Sequence, residues 1–106
     1  MGIHIYLRKD GKDMDNPILP FSRSVSYFLS EMGTKWECDE QWEYDACHYK
    51  AKAGDVKQAL IYLTDTYDVP EDDLDEYNEY YLPVFKEFLS VAETYPDDEY
   101  IYFTKA

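Results

Sequence analysis

The sequence predicts an α+β fold, a small single domain in which a short β-sheet packs with about three helices. The sheet is expected to contain an N-terminal and a C-terminal strand plus one or two middle strands. Three observations carry this reading. Ile3, Ile5 and Leu7 alternate with His4, Tyr6 and Arg8, the period of a strand with one face on a core. Further on, two stretches instead repeat their apolar residues three and four apart, the period of a helix. The chain has 106 residues, 45% hydrophobic and 18% aromatic, which is enough for one compact core spanning residues 1–106 and leaves no room for a second.

Residues 3–9 read as the first strand. Lys9-Asp10-Gly11-Lys12-Asp13 supplies turn residues and Pro17 and Pro20 lack ladder donors, so 10–20 is expected as a loop. Phe21, Val25, Phe28, Leu29 and Met32 then recur at helical spacing, Ser22 can cap, and Gly33 stands where a helix C-cap favours glycine, which places a helix at 22–32. Between 34 and 53, Trp36 and Cys38, Trp42 and Tyr44, and Cys47, Tyr49, Ala51 and Ala53 stand two apart, the mark of one or two strands. Gly54-Asp55 ends that stretch and caps a second helix at about 56–67, with Val56, Ala59, Leu60, Leu63 and Tyr67 on one stripe.

Asp68-Val69-Pro70 breaks the second helix. From there Leu74, Tyr77, Tyr81, Val84, Phe88, Ala92 and Tyr95 hold one angular phase through Pro83. That pattern predicts either one kinked helix over 71–94 or two abutting pieces that share an apolar stripe. Pro96-Asp97-Asp98 ends it, and Tyr100-Ile101-Tyr102-Phe103 reads as the closing strand.

The charge is the strongest functional signal. Residues 1–53 hold nine acids against seven bases, whereas 54–106 hold fourteen acids against Lys57, Lys86 and Lys105, so the net −13 belongs almost wholly to the second half. Eight acids, Asp65, Asp68, Glu71, Asp72, Asp73, Asp75, Glu76 and Glu79, crowd one stretch, and no Lys or Arg occurs from Gln58 to Pro83. Like charges packed this densely oppose folding, which directs attention to a cationic partner. The same balance argues against direct binding to nucleic acid or an anionic membrane, whose phosphates repel carboxylates.

On a helical wheel with Glu71 at zero, Asp75, Glu79, Asp72 and Glu76 fall at about 40°, 80°, 100° and 140°, opposite Leu74, Tyr77 and Tyr81. Helical neighbours three or four apart are separated by roughly 5–6 Å, close to the step between phosphates on a nucleic-acid strand. Asp65 and Asp68 extend the track, Asp97, Asp98 and Glu99 suggest a second patch, and Tyr80, pointing away from the apolar stripe, is the tyrosine best placed for contact. The bland alternative is a solvated helix face whose first-turn acids the helix dipole favours. The absence of compensating lysines at i+4 weakens it.

Other chemistry is poorly represented. His4, His48, Cys38 and Cys47 show no metal-ligand spacing, Asp10, Asp13, Asp15 and Asn16 lack the rest of a calcium loop, and no nucleophile elbow or phosphate-binding loop occurs. No cofactor, metal or enzymatic role is expected. The two cysteines are too few for a disulfide framework and are expected as thiols. The N-terminus lacks the basic start and apolar run of a secretion signal, and no stretch approaches the roughly 20 apolar residues that span a bilayer, so the expected location is cytoplasmic.

The leading expectation is a small acidic inhibitor whose carboxylates imitate a phosphate backbone and block the basic channel of a nuclease, a guided effector or another nucleic-acid-binding protein. Its partner-binding residues would be Asp65, Asp68, Glu71, Asp72, Asp75, Glu76, Glu79 and Tyr80. In charge and size alone the chain resembles phage-encoded nucleic-acid mimics, among them anti-restriction and anti-CRISPR proteins; no motif is matched residue by residue. An immunity protein neutralising a toxin nuclease would use the same physics. A small enzyme or an acidic adaptor are the remaining alternatives, and a homodimer stays open.

Overall fold

A computed structural model describes residues 3–20, 22–41 and 47–106. Gly2, Phe21, Trp42 and Tyr44 lie outside the described residues. Strand β1 (Ile5–Lys9) is reversed at once by Asp10 and Gly11, whose φ angles of 56° and 79° are both positive. This is the two-residue hairpin geometry that Asp-Gly favours, because its twist matches that of the flanking strands. Strand β2 (Lys12–Asp13) therefore pairs antiparallel with β1, Lys9 opposite Lys12. The expected loop at 10–20 thus contains a strand, which polar Lys12 and Asp13 concealed from an apolar pattern.

Helix α1 (Ser22–Met32) ends at Gly33, where a φ of 59° lets the amide donate back to the Leu29 carbonyl at 3.1 Å. Of the stretch read as one or two strands, the described residues form β3 (Glu37–Gln41) and β4 (Cys47–Lys52), with an irregularity between Cys38 and Glu40. Neither Cys38 nor Cys47 is in a disulfide. The last strand, β5 (Tyr100–Lys105), runs two residues past the expected end and pairs with both β1 and β4. The result is a five-stranded antiparallel sheet in the order β2-β1-β5-β4-β3.

One face of the sheet carries the alternate residues Ile5, Leu7, Tyr49, Ala51, Ile101 and Phe103, all buried. Three phenylalanines join this face to the helices: Phe28 of α1 packs 6.2 Å from Phe103 and 5.2 Å from Phe88. The second helix, α2 (Ala53–Ile61), begins three residues earlier than the sequence pattern implied. Gly54-Asp55 does not cap it. The amides of Ala53 and Gly54 instead donate to the carbonyls of Glu99 (2.7 Å) and Asp97 (3.0 Å), so the turn before β5 satisfies the helix start. Lys57 secures the same turn by donating to the Tyr95 carbonyl at 2.6 Å and to Asp97 Oδ1 at 2.8 Å.

After Ile61 the chain widens into a π turn (Tyr62–Thr66) and crosses an extended link, 67–70. It then winds without interruption from Glu71 to Ala92 in four pieces of three pitches: a 3-10 turn (Glu71–Asp73), α3 (Leu74–Glu76), a second π turn (Tyr77–Tyr81) and α4 (Leu82–Ala92). The second π turn answers Pro83. In a regular helix its ring would press on the Glu79 carbonyl, whereas the wider turn, closed by the Leu82 amide on the Tyr77 carbonyl, makes room just before the proline. The extra residue also shifts the buried stripe. It runs Tyr77, Tyr81, Phe85, Phe88, Ala92, so Phe85 replaces the expected Val84, and Leu74 is 41% exposed.

Ser24 is fully buried on α1 and its hydroxyl has no hydrogen-bond partner. Replacing an unsatisfied buried hydroxyl by hydrogen removes a desolvation penalty of about 1–3 kcal/mol while leaving little void. Ser24→Ala is expected to raise the urea midpoint, by roughly 1 kcal/mol of stability. A midpoint at or below that of the parent protein would mean that the hydroxyl is satisfied in solution.

Candidate functional site

The acidic run lies where three pieces of backbone meet. Asp65 belongs to the first π turn, in which Thr64 Oγ1 donates to the Leu60 carbonyl (2.9 Å) and Thr66 Oγ1 to the Tyr62 carbonyl (3.1 Å). Asp68 lies in the link. Pro70, with φ −53°, precedes the 3-10 turn that carries Glu71 and Asp72; α3 carries Asp75 and Glu76; the second π turn carries Glu79 and Tyr80. All seven of these carboxylates are exposed and Tyr80 is 51% exposed, while Asp73 is half-buried.

The wheel drawn at 100° per residue does not hold across this segment. A 3-10 turn advances about 120° per residue and a π turn advances less than an α-helix, so the carboxylates spread over an edge of wider arc than one narrow ridge. Asp65 and Asp68 precede the helical run and approach that edge from its side. Among the described residues no three acidic, thiol or imidazole side chains converge on a point that could hold a metal ion. Two cavities of about 260 and 210 Å³, lined by Arg8, Asp10, Gly11 and Tyr102 and by residues including Met14, Ile18 and Val91, involve none of the acidic run.

Behind the edge stands a cluster of tyrosines. Tyr67 stacks on Tyr77 at 5.6 Å, and Tyr27 of α1 lies 5.3 to 5.9 Å from Tyr67, Tyr77 and Tyr81. Tyr62 and Phe85 close its two ends at 5.8 Å from Tyr67 and 6.1 Å from Tyr77. Tyr77 and Tyr81 are 3% and 7% exposed and belong to the core. The Tyr77 hydroxyl donates to the Leu63 carbonyl, joining the second π turn to the first. Burial first, then neighbouring Tyr67, Tyr27 and Glu31, holds the Tyr77 hydroxyl well above the usual phenol range; burial also raises Tyr67 and Tyr81.

Among the described residues one cation touches the acidic run. Arg23 of α1 donates to Glu76 Oε2 at 3.5 Å, and the Tyr81 hydroxyl donates to the other oxygen, Oε1, at 3.3 Å. The remaining described ion pairs, Lys35–Asp55, Lys50–Glu37 and Lys57–Asp97, lie elsewhere. The last of these removes Asp97 from the second acidic patch that its sequence neighbours suggested. Arg23 and Tyr27 were not singled out by sequence. Their signal was the four-residue spacing Arg23, Tyr27, Glu31, which sets a polar and aromatic stripe beside the apolar one on α1.

Compared with known families, curated proteins and solved structures, the chain matches none of the three. Among the described residues no helix is long and apolar enough to cross a membrane.

Tyr77→Phe keeps the ring and leaves the Leu63 carbonyl without its donor, so it is expected to destabilise by about 1–3 kcal/mol in chemical denaturation. The parent protein should also lose stability above about pH 10. Below that value tyrosine is protonated in both states; above it the unfolded chain ionises first, and the contribution is lost as pH rises through the raised folded values. Thermal midpoints measured from pH 8 to 11 should therefore fall less steeply for Tyr77→Phe. Equal slopes would remove Tyr77 from the linkage.

Proposed function

We propose that this protein is an inhibitor that presents the edge from Asp65 to Tyr80 to a basic nucleic-acid-binding protein and competes with the polynucleotide for its cationic channel. One observation carries the reading: seven exposed carboxylates share one short stretch of fixed backbone, with a single described cation, Arg23, against them. Ordinary surface helices intersperse both signs. A field of one sign attracts a cationic partner over several ångströms and accelerates encounter, most strongly at low ionic strength.

The support is partly mechanical. A phosphate backbone is a fixed array, and a set of charges imitates it only if the side chains cannot disperse. The tyrosine cluster fixes the backbone beneath the acids, and the exposed rings of Tyr80, Tyr62 and the side chain of Leu74 provide apolar area beside them. Aromatic anchors of this kind retain a partner that long-range charge has drawn in. Neither of the two cavities is lined by the acidic run, whereas a site for a small substrate is typically a concavity of about 300–1,000 Å³.

The test is displacement. Labelled duplex DNA bound to each of a set of basic nucleases should be released by the purified protein, with potency falling at least tenfold between about 50 and 200 mM salt. Asp72, Asp75, Glu76 and Glu79 changed together to Lys should abolish release while circular dichroism shows the fold retained. If no nuclease releases its DNA at low salt, or if the reversed variant releases it equally well, the proposal fails.

A further inference from the structure

Among the described residues the one cation on the acidic edge, Arg23, does more than relieve repulsion, because of what surrounds it. The Arg23 guanidinium reaches Glu76 Oε2 at 3.5 Å, and the neighbouring Tyr81, Glu76 and Asp73 side chains favour its charged form. The Tyr81 hydroxyl in turn holds Glu76 Oε1 at 3.3 Å. Glu76 therefore joins Arg23 and Tyr81 into one compact group, one carboxylate oxygen to each. Its base is immobile, since Tyr81 is 7% exposed and packs 5.9 Å from Tyr27 and 6.0 Å from Tyr77. The lid is not: the Arg23 and Glu76 side chains are 60% and 47% exposed.

We propose that Glu76, Tyr81 and Asp73 form a notch for a guanidinium group, filled in cis by Arg23 and in trans by an arginine of the protein partner. This rests on the inhibitor reading above and adds which cation the partner offers. Arginine suits the notch better than lysine. A planar guanidinium presents several donors in fixed directions and can engage a carboxylate and a phenol together, whereas an ammonium is a compact, strongly hydrated charge. Displacement in trans is feasible because an exposed pair of this kind shifts an equilibrium by only about fivefold at most. Arg23 thus occupies the notch without locking it, and its removal should leave the notch open for an incoming arginine.

The test uses hexa-arginine and hexa-lysine peptides as probes, with binding followed by fluorescence anisotropy at low salt. Three proteins are compared: the parent, Arg23→Ala, and Lys9→Ala, which makes the same charge change on the distant β1 hairpin. Arg23→Ala should bind hexa-arginine about two- to fivefold more tightly than the parent, with a clearly smaller gain for hexa-lysine. Lys9→Ala should give small gains that are equal for the two peptides. Adding Tyr81→Phe to Arg23→Ala should erase the arginine preference. Equal gains for both peptides in Arg23→Ala, or gains matched by Lys9→Ala, would reduce the effect to net charge and overturn the notch. That failure is separable from failure of the inhibitor reading, which is decided by release of DNA from the nucleases.

Discussion

A single bond between two widened turns holds the most highly charged part of this protein together. Tyr77 donates its hydroxyl to the carbonyl of Leu63, and everything from Asp65 to Glu76 lies between those two points. The carboxylates in that interval repel one another. At the 5–6 Å of helical neighbours each unit pair opposes folding by about 0.7 kcal/mol in bulk water, before salt screening. Several such pairs amount to a few kcal/mol, a large share of the 5–15 kcal/mol typical of a folded domain. A buried aromatic side chain returns about 1.5–3 kcal/mol, so Tyr77 and Tyr81 with their partners are enough to hold the segment closed. Chemistry and position agree here: the side chains that fix the edge are buried directly beneath the charges they restrain.

The winding of the 71–92 segment follows from the same arrangement. Pro83 cannot continue a regular helix that still keeps the Glu79 carbonyl in line, and the π turn at 77–81 absorbs the conflict by adding one residue. That residue brings Tyr77, Tyr81, Phe85 and Phe88 into one buried row. It also turns Glu79 and Tyr80 outward with the acids that precede them. A local backbone accommodation thus determines which side chains the surface offers.

Much of this was legible in the sequence, and the exceptions have physical causes. Alternation gave β1, β4 and β5 because each buries one face on the helices; spacing gave α1 because Val25, Phe28 and Met32 face the core and Gly33 stops it. Strand β2 escaped because a two-residue strand of Lys and Asp has no apolar face to betray it, and only Asp10-Gly11 announced the turn. The start of α2 was misplaced because its first amides are satisfied by carbonyls from residues 97 and 99, a tertiary contact no local motif encodes. The exchange of Val84 for Phe85 came from assuming a constant 100° per residue. For the candidate site, the acids could be read directly, since their identity and exposure follow from charge. The cation and ring that α1 sets against them could not, because Arg23 and Tyr27 lie some fifty residues away in sequence and only the fold brings them there.

The described ion pairs are distributed unevenly between the acidic edge and the rest of the surface. Where this chain needs a carboxylate for structure, it provides a cation: Lys57 holds Asp97 at the turn that starts α2, and Lys35 reaches Asp55 in the first turn of that helix. Against the eight acids from Asp65 to Glu79 it provides one among the described residues, Arg23. Dispersed charges keep a protein in solution with less mutual repulsion than charges concentrated in one stretch. Concentration on a rigid support makes physical sense when a second molecule completes the neutralisation. Under the proposed inhibitor reading, the stability sacrificed in the free protein is recovered on binding, which gives affinity and salt dependence a common origin in the same few carboxylates.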